Sequence, residues 1–170
     1  SFAPLKEMGL ARIKNDKIII TDIGKTLMKK DYDLGELFLQ FFLKWQYPNL
    51  ITQGFSEGYN IKPFIAVLHL INKVNLLWEK LGNKPVGISK IEFKIFALSL
   101  INFNDIDTWA EKVIEFRLED KKQPNDKAKR EFKAKYTEEF LTEYENRDNA
   151  SDYTDNAIRY FRLTRYFYLR

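Results

Sequence analysis

Residues 10–48 constrain the fold more than any other part of the chain. Ala11 to Lys14 and Lys17 to Ile20 are two short runs that favour strand. Asn15-Asp16 between them tolerates the left-handed backbone that a tight hairpin needs. Thr21 is placed to cap a helix, and Asp22 in the first turn matches the positive end of the helix dipole. Ile23, Leu27 and Met28 give that helix an apolar face. Asp33 caps a second helix reaching about Gln46, with Leu34, Leu37, Phe38, Phe41, Phe42 and Trp45 on one broad face. Tyr47-Pro48 stops it, because a residue before proline avoids helical geometry. Ser1 to Gly9 reads as the tail of a helix that begins upstream. A helix feeding a two-stranded ribbon, followed at once by another helix, is the outline of a winged helix.

Asn49 to Asn60 has two glycines and no helical period, which makes it a loop and the natural boundary between subdomains. Pro63 suits the first turn of a long helix to about Leu81, where its missing N–H costs nothing. Ser89 and Glu92 form a capping box opening a short helix, Lys90 to Ile101. Asp105 or Asp107 caps the next, through Trp109, Val113, Ile114 and Phe116 to about Glu119. Glu119 to Arg130 reads as an exposed polar run. Phe132, Tyr136, Phe140 and Tyr144 then recur every fourth residue on a charged helix, roughly Ala128 to Glu145. Asn146 to Ala150 breaks it, and Ser151 caps a last helix to Leu163. Arg165 to Leu169 reads as a strand with no partner after it, so the chain looks truncated at both ends. The expected class is mainly α. Two winged-helix-like subdomains with short hairpin wings span residues 1–48 and 61–170, and 49–60 links them.

Composition narrows the function. With 45% apolar and 15% aromatic residues, the chain has enough to bury a core. It has no cysteine and a single histidine, which excludes disulfides and argues against a zinc site. His69, among Val67, Leu68, Leu70 and Ile71, reads as a packed ring. Its neighbourhood, 64–71, is the longest apolar run and is too short to cross a bilayer. A cytoplasmic protein without membrane contact is expected. The formal charge is +4, and its distribution matters more than its size: after Asp155 no acidic residue follows, while Arg159, Arg162, Arg165 and Arg170 do.

Three triplets match the letters of the Glu-x-Lys element of magnesium nucleases: Glu92-Phe93-Lys94, Glu131-Phe132-Lys133 and Glu119-Asp120-Lys121. That chemistry needs the carboxylate and lysine on a strand beside a second acid. The first two triplets lie in helical periods and the third in the polar run, so none is a credible catalytic site. No phosphate-binding glycine loop or nucleophile elbow is present either. The basic residues offer a different chemistry. If the second subdomain is also a winged helix, Asp152 to Leu163 lies in the major groove. Tyr153, Ala157, Tyr160, Phe161 and Thr164 would then face the core, with Asp155, Arg159 and Arg162 on the opposite side. Arginine addresses guanine bidentately, or a phosphate; Asp155 and Arg159 also read as an ordinary i, i+4 ion pair. Arg12, Lys14 and Lys17 decorate the hairpin, and Lys25, Lys29 and Lys30 the helix after it, as a phosphate-contacting wing or a merely solvated ribbon. Lys44 sits beside Trp45 at a helix end, where its charge also suits the dipole.

Thr21-Asp22-Ile23-Gly24-Lys25, Leu43-Lys44-Trp45-Gln46-Tyr47-Pro48, Ile61-Lys62-Pro63, Gly87-Ile88-Ser89-Lys90 and Arg159-Tyr160-Phe161-Arg162 occur in this order. Together they resemble the recognition region of the AlwI-type restriction and nicking endonucleases, over nearly the whole chain. The resemblance implies sequence-specific binding of double-stranded DNA; with the basic residues read above, the candidate contacts are Arg12, Lys14, Lys17, Lys25, Lys44, Arg159, Arg162 and Arg165. It also implies a separate, C-terminal, magnesium-dependent nuclease domain that cuts outside the site and lies beyond this segment. The segment itself is then monomeric and needs no cofactor, with a second nuclease subunit conceivable for the full-length protein. Two other readings compete: a winged-helix regulator or replication initiator with no nuclease attached, and a module whose winged helices bind protein.

Overall fold

The computed structural model describes residues 5–6, 8–29, 32–49, 58–142 and 150–168. Asn15 and Asp16 both have positive φ, 48° and 57°, the left-handed pair that a two-residue hairpin requires. They join β1 (Ala11–Lys14) to β2 (Lys17–Ile20), antiparallel, in a register from Ala11↔Ile20 to Lys14↔Lys17. Opposed residues share a face, so Arg12, Lys14 and Lys17 lie on one side and Ala11, Ile13, Ile18 and Ile20 on the other. Before the ribbon, Gly9 (φ 68°) donates its N–H to the Lys6 carbonyl and Leu10 donates to that of Leu5. Those two bonds close a helix C-terminus, as expected for this segment.

Thr21 caps α1 (Asp22–Met28): its Oγ1 accepts from the Gly24 N–H at 3.1 Å and its hydroxyl donates to the Gly9 carbonyl at 2.7 Å. A Cβ at Gly24 would run into the Leu10 carbonyl oxygen and lie 2.7 Å from Ile20 Cγ2, so glycine is what lets α1 lie on the ribbon. Asp33 caps α2 (Leu34–Lys44), accepting from the Glu36 N–H at 3.1 Å. This helix stops before Gln46. Trp45 turns extended, and Tyr47 exchanges backbone hydrogen bonds of 2.8 and 3.0 Å with Ile61. That bridge pins together the two ends of the 49–60 loop, most of which lies outside the described residues.

Pro63 opens α3 (Pro63–Lys80) as expected. The capping box is present: Glu92 accepts from the Ser89 N–H at 2.6 Å and Ser89 Oγ from the Glu92 N–H at 3.3 Å. The helix it opens is not the regular one expected to Ile101. After α4 (Lys90–Glu92) the chain widens into a π-helix, Phe93–Ala97. Phe93, Ile95, Phe96 and Ala97 are all buried, on more sides than one α-helical stripe covers. Asn102 caps a short 3-10 turn, Phe103–Asp105, one turn before the expected acid, and α5 (Ile106–Lys122) continues from it. Thus α5 takes in the first four residues of the polar run, 119–122. Asn125 accepts from the Ala128 N–H, and α6 (Asp126–Thr142) begins two residues earlier than expected.

The last helix, α7 (Ala150–Leu163), already contains Ser151, which is therefore no cap. The expected break at 146–150 and Tyr144 fall on or beside residues outside those described. Past α7 the expected strand does not form among the described residues. Thr164 and Arg165 donate back to the Phe161 and Arg162 carbonyls, Arg165 takes φ 65°, and Phe167 is buried. A lone strand has nothing to pair with, whereas this turn satisfies the orphan carbonyls at the helix end.

Among the described residues the protein is mainly helical with a small antiparallel hairpin. One hydrophobic cluster joins Phe42 of α2 to α3, the π-helix, α5 and α7. Phe161 lies 5.2 Å from Phe42 and 5.0 Å from Phe64, centroid to centroid, both edge-on. Phe96 lies against Phe116 and Trp109 of α5, and Phe140 and Tyr136 of α6. His69 corrects the packed-ring expectation: α3 turns Phe64, Val67, Leu70, Val74 and Trp78 inward and leaves His69 exposed.

Candidate nucleic-acid interface

The buried stripe of α7 is Thr154, Ile158 and Phe161, continued by Thr164 just past its end. This corrects the expected orientation in part: Phe161 and Thr164 face the core, but Tyr153 and Tyr160 are about half exposed, at 52% and 49%. Ser151, Asp155, Arg159 and Arg162 recur at intervals of four, four and three, a single exposed stripe beside the buried one. Two lysines of the neighbouring segment hold its first half. Lys90 Nζ lies 2.6 Å from Asp155 Oδ1, and Lys94 donates to Ser151 Oγ at 2.7 Å. Asp155 is therefore neutralised by α4 and not by Arg159. Among the described residues, neither Arg159 nor Arg162 meets a carboxylate.

In the hairpin, Arg12, Lys14 and Lys17 are exposed on one ribbon face and likewise meet no carboxylate among the described residues. Lys25 is drawn 3.0 Å from Asp22 one turn earlier. Lys44 is exposed at the end of α2, on the rim of a groove of about 750 Å³ with Ile23, Phe41 and Trp45. Arg165 is committed elsewhere: its Nη1 donates to Asp33 Oδ2 at 2.8 Å, tying the end of α7 to the start of α2. Gly35 makes room for it, since a Cβ there would lie 3.1 Å from Arg165 Nε. The Glu36 N–H, and then the Arg165 guanidinium, hold the Asp33 carboxyl below the usual carboxylate range.

The acidic triplets do not fit a magnesium site. Glu92-Phe93-Lys94 runs from α4 into the π-helix, Glu119-Asp120-Lys121 lies in the last turns of α5, and Glu131-Phe132-Lys133 is in α6. The Glu92 carboxylate is already held by the Arg117 guanidinium, with Nε at 2.7 Å and Nη2 at 2.9 Å. Asp120 Oδ2 sits 3.0 Å from Lys133. Among the described residues no three His, Cys, Asp or Glu side chains come together as metal ligands. Arg117 is the residue that sequence reasoning missed. Its partner is 25 positions away, a distance over which helical spacing says nothing.

A mainly helical protein with a basic ribbon face and an arginine-bearing helix has the surface of one that handles a polyanion. The family model of the AlwI restriction endonuclease matches residues 6–170, and the chain belongs to that family of restriction-type, DNA-cleaving proteins. The resemblance drawn from its five ordered motifs is to the same family. No curated protein matches the chain. Among the described residues no helix is long and apolar enough to cross a membrane.

Proposed function

We propose that this chain is the DNA-recognition portion of a type IIS-like restriction or site-specific nicking endonuclease. In this reading residues 1–48 and 61–170 form two winged-helix-like subdomains on double-stranded DNA, with α7 directed at the major groove and the hairpin at phosphates. The observation that carries it is the pair Arg159 and Arg162: exposed, at helical spacing, without a carboxylate partner among the described residues, while Lys90 holds Asp155, one turn before Arg159. A guanidinium left free in this way is available to a base edge or a phosphate. In this reading the magnesium-dependent nuclease is a domain outside residues 1–170, which is consistent with Glu92 being held by Arg117 and Asp120 by Lys133.

Selection from a randomised duplex pool, followed by binding at two salt concentrations, tests this. The chain is expected to enrich one short asymmetric site and to bind it with a steep salt dependence. It is also expected to leave DNA uncut with magnesium or manganese. Salt-insensitive binding, or metal-dependent cleavage abolished by Glu131→Gln, would overturn the reading.

A further inference from the structure

We propose that the cleft between the end of α5 and the segment following α7 receives an unpaired nucleobase, an inference that rests on the chain's binding DNA. The cleft holds about 730 Å³, within the range of small-ligand sites. Trp78, the 85–89 turn, Arg117, Asp120, Lys133 and the Tyr166–Tyr168 segment line it.

Its polar groups are half-used. The Arg117 side chain is nine-tenths buried, at 10% exposure. Its Nε and Nη2 go to Glu92, and Nη2 also donates to the Gly87 carbonyl, while Nη1 is buried without a partner among the described residues. One turn further along α5, Asp120 gives Oδ2 to Lys133, and its Oδ1 is likewise buried and unpartnered. A buried donor or acceptor left unmet is unfavourable. Both atoms are closed to solvent, and a ligand that meets them as these side chains turn towards the cleft presents an acceptor and a donor. The Watson–Crick edge of a nucleobase does this, and base pairing hides that edge in a duplex, so the complementary ligand is a base taken out of the stack.

The walls agree with that chemistry. Tyr166 and Tyr168 are 66% and 77% exposed at the cleft, offering faces on which a base can stack. Lys121, 4.3 Å above the Trp78 ring, places positive charge beside the site for a flanking phosphate. Ser89 and Glu92 form another wall, and Lys90 between them holds Asp155 on the stripe that carries Arg159 and Arg162. The cleft therefore adjoins the arginine-bearing helix.

The experiment places 2-aminopurine at each position of the selected duplex in turn and follows its fluorescence on adding the chain. A several-fold rise at one position, together with tighter binding when that position is mismatched, is the expected result. Asp120→Asn should reduce the rise, and Val86→Trp, which fills the cleft from an exposed position, should abolish it. A specific duplex bound with no rise at any position overturns the inference and leaves the recognition reading standing; the two polar atoms then share an ordered water only. A rise that persists undiminished in both variants places the base elsewhere and also overturns it. Failure to bind any duplex removes the recognition reading and the inference with it.

Discussion

Arg117 and Asp33 show how differently two charged residues can be used. The Glu92–Arg117 pair is buried, at 6% and 10% side-chain exposure, and Trp78 lies 5.2 Å from the guanidinium. Removing one partner of such a pair strands the other in a dry environment. Arg117→Ala is therefore expected to cost about 3–5 kcal/mol in urea unfolding, and Arg117→Met with Glu92→Gln to recover part of it. A loss well below about 1 kcal/mol would show that solvent reaches the pair. Asp33 is open to solvent, so its cap and its Arg165 contact are screened, and its signature is a pH dependence. Because the folded carboxyl titrates below its ordinary value, its stabilisation is complete above the unfolded value and is lost as pH falls through the folded one. An NMR titration of the Asp33 carboxyl carbon should show that depressed midpoint, and Arg165→Ala should raise it towards the ordinary value. A midpoint unmoved by Arg165→Ala would leave the Glu36 and Gly35 N–H groups as the cause.

Among the elements, the proposed interface assigns α7 to reading sequence and the β1–β2 ribbon to holding phosphates. Arg159→Ala or Arg162→Ala should weaken the preferred duplex by about 1–3 kcal/mol and unrelated duplex less. Lys14→Ala or Lys17→Ala should weaken both alike and flatten the salt slope by about one unit each. Competition binding at two salt concentrations separates these cases, and arginine variants that keep the wild-type specificity ratio would exclude α7 as the reading element. The ribbon was legible in the sequence because its determinants are local: Asn15-Asp16 for the turn, and Thr21 and Asp33 for the caps. The capping box at Ser89 and the proline start at Pro63 were legible for the same reason. What escaped depends on partners distant in sequence. The packing around 93–97 widens that helix, a strand after Thr164 has nothing to pair with, and Glu92 meets an arginine 25 residues away. On α7 the period was right and the phase only in part, since Phe161 and Thr164 face the core as expected. Tyr153 and Tyr160 were expected on the core face, which Thr154 and Ile158 fill instead.

At the scale of the molecule, the question is whether residues 1–48 and 61–170 unfold as separate units. Phe42 and Phe161 belong to the two different segments, yet they share an edge-on contact inside one hydrophobic cluster. The Tyr47–Ile61 bridge and the Arg165–Asp33 ion pair join the same two segments at other points. Three tryptophans report on both parts, Trp45 at the end of α2 and Trp78 and Trp109 on α3 and α5. If the shared cluster governs stability, tryptophan fluorescence and far-ultraviolet circular dichroism should follow a single coincident urea transition. Phe161→Ala removes the ring that touches Phe42, Phe64, Phe93 and Phe167. It should cost about 3–5 kcal/mol and move both signals together. To isolate the first segment, Trp78 and Trp109 are replaced by phenylalanine so that emission comes from Trp45 alone. A Trp45 transition that precedes the loss of helix, and stays in place when Phe161 is truncated, would make the hairpin and α2 an independent domain. A coincident shift makes the arrangement of the ribbon relative to α7 a property of one cooperative core, and a recognition surface built from both then has fixed geometry before DNA arrives.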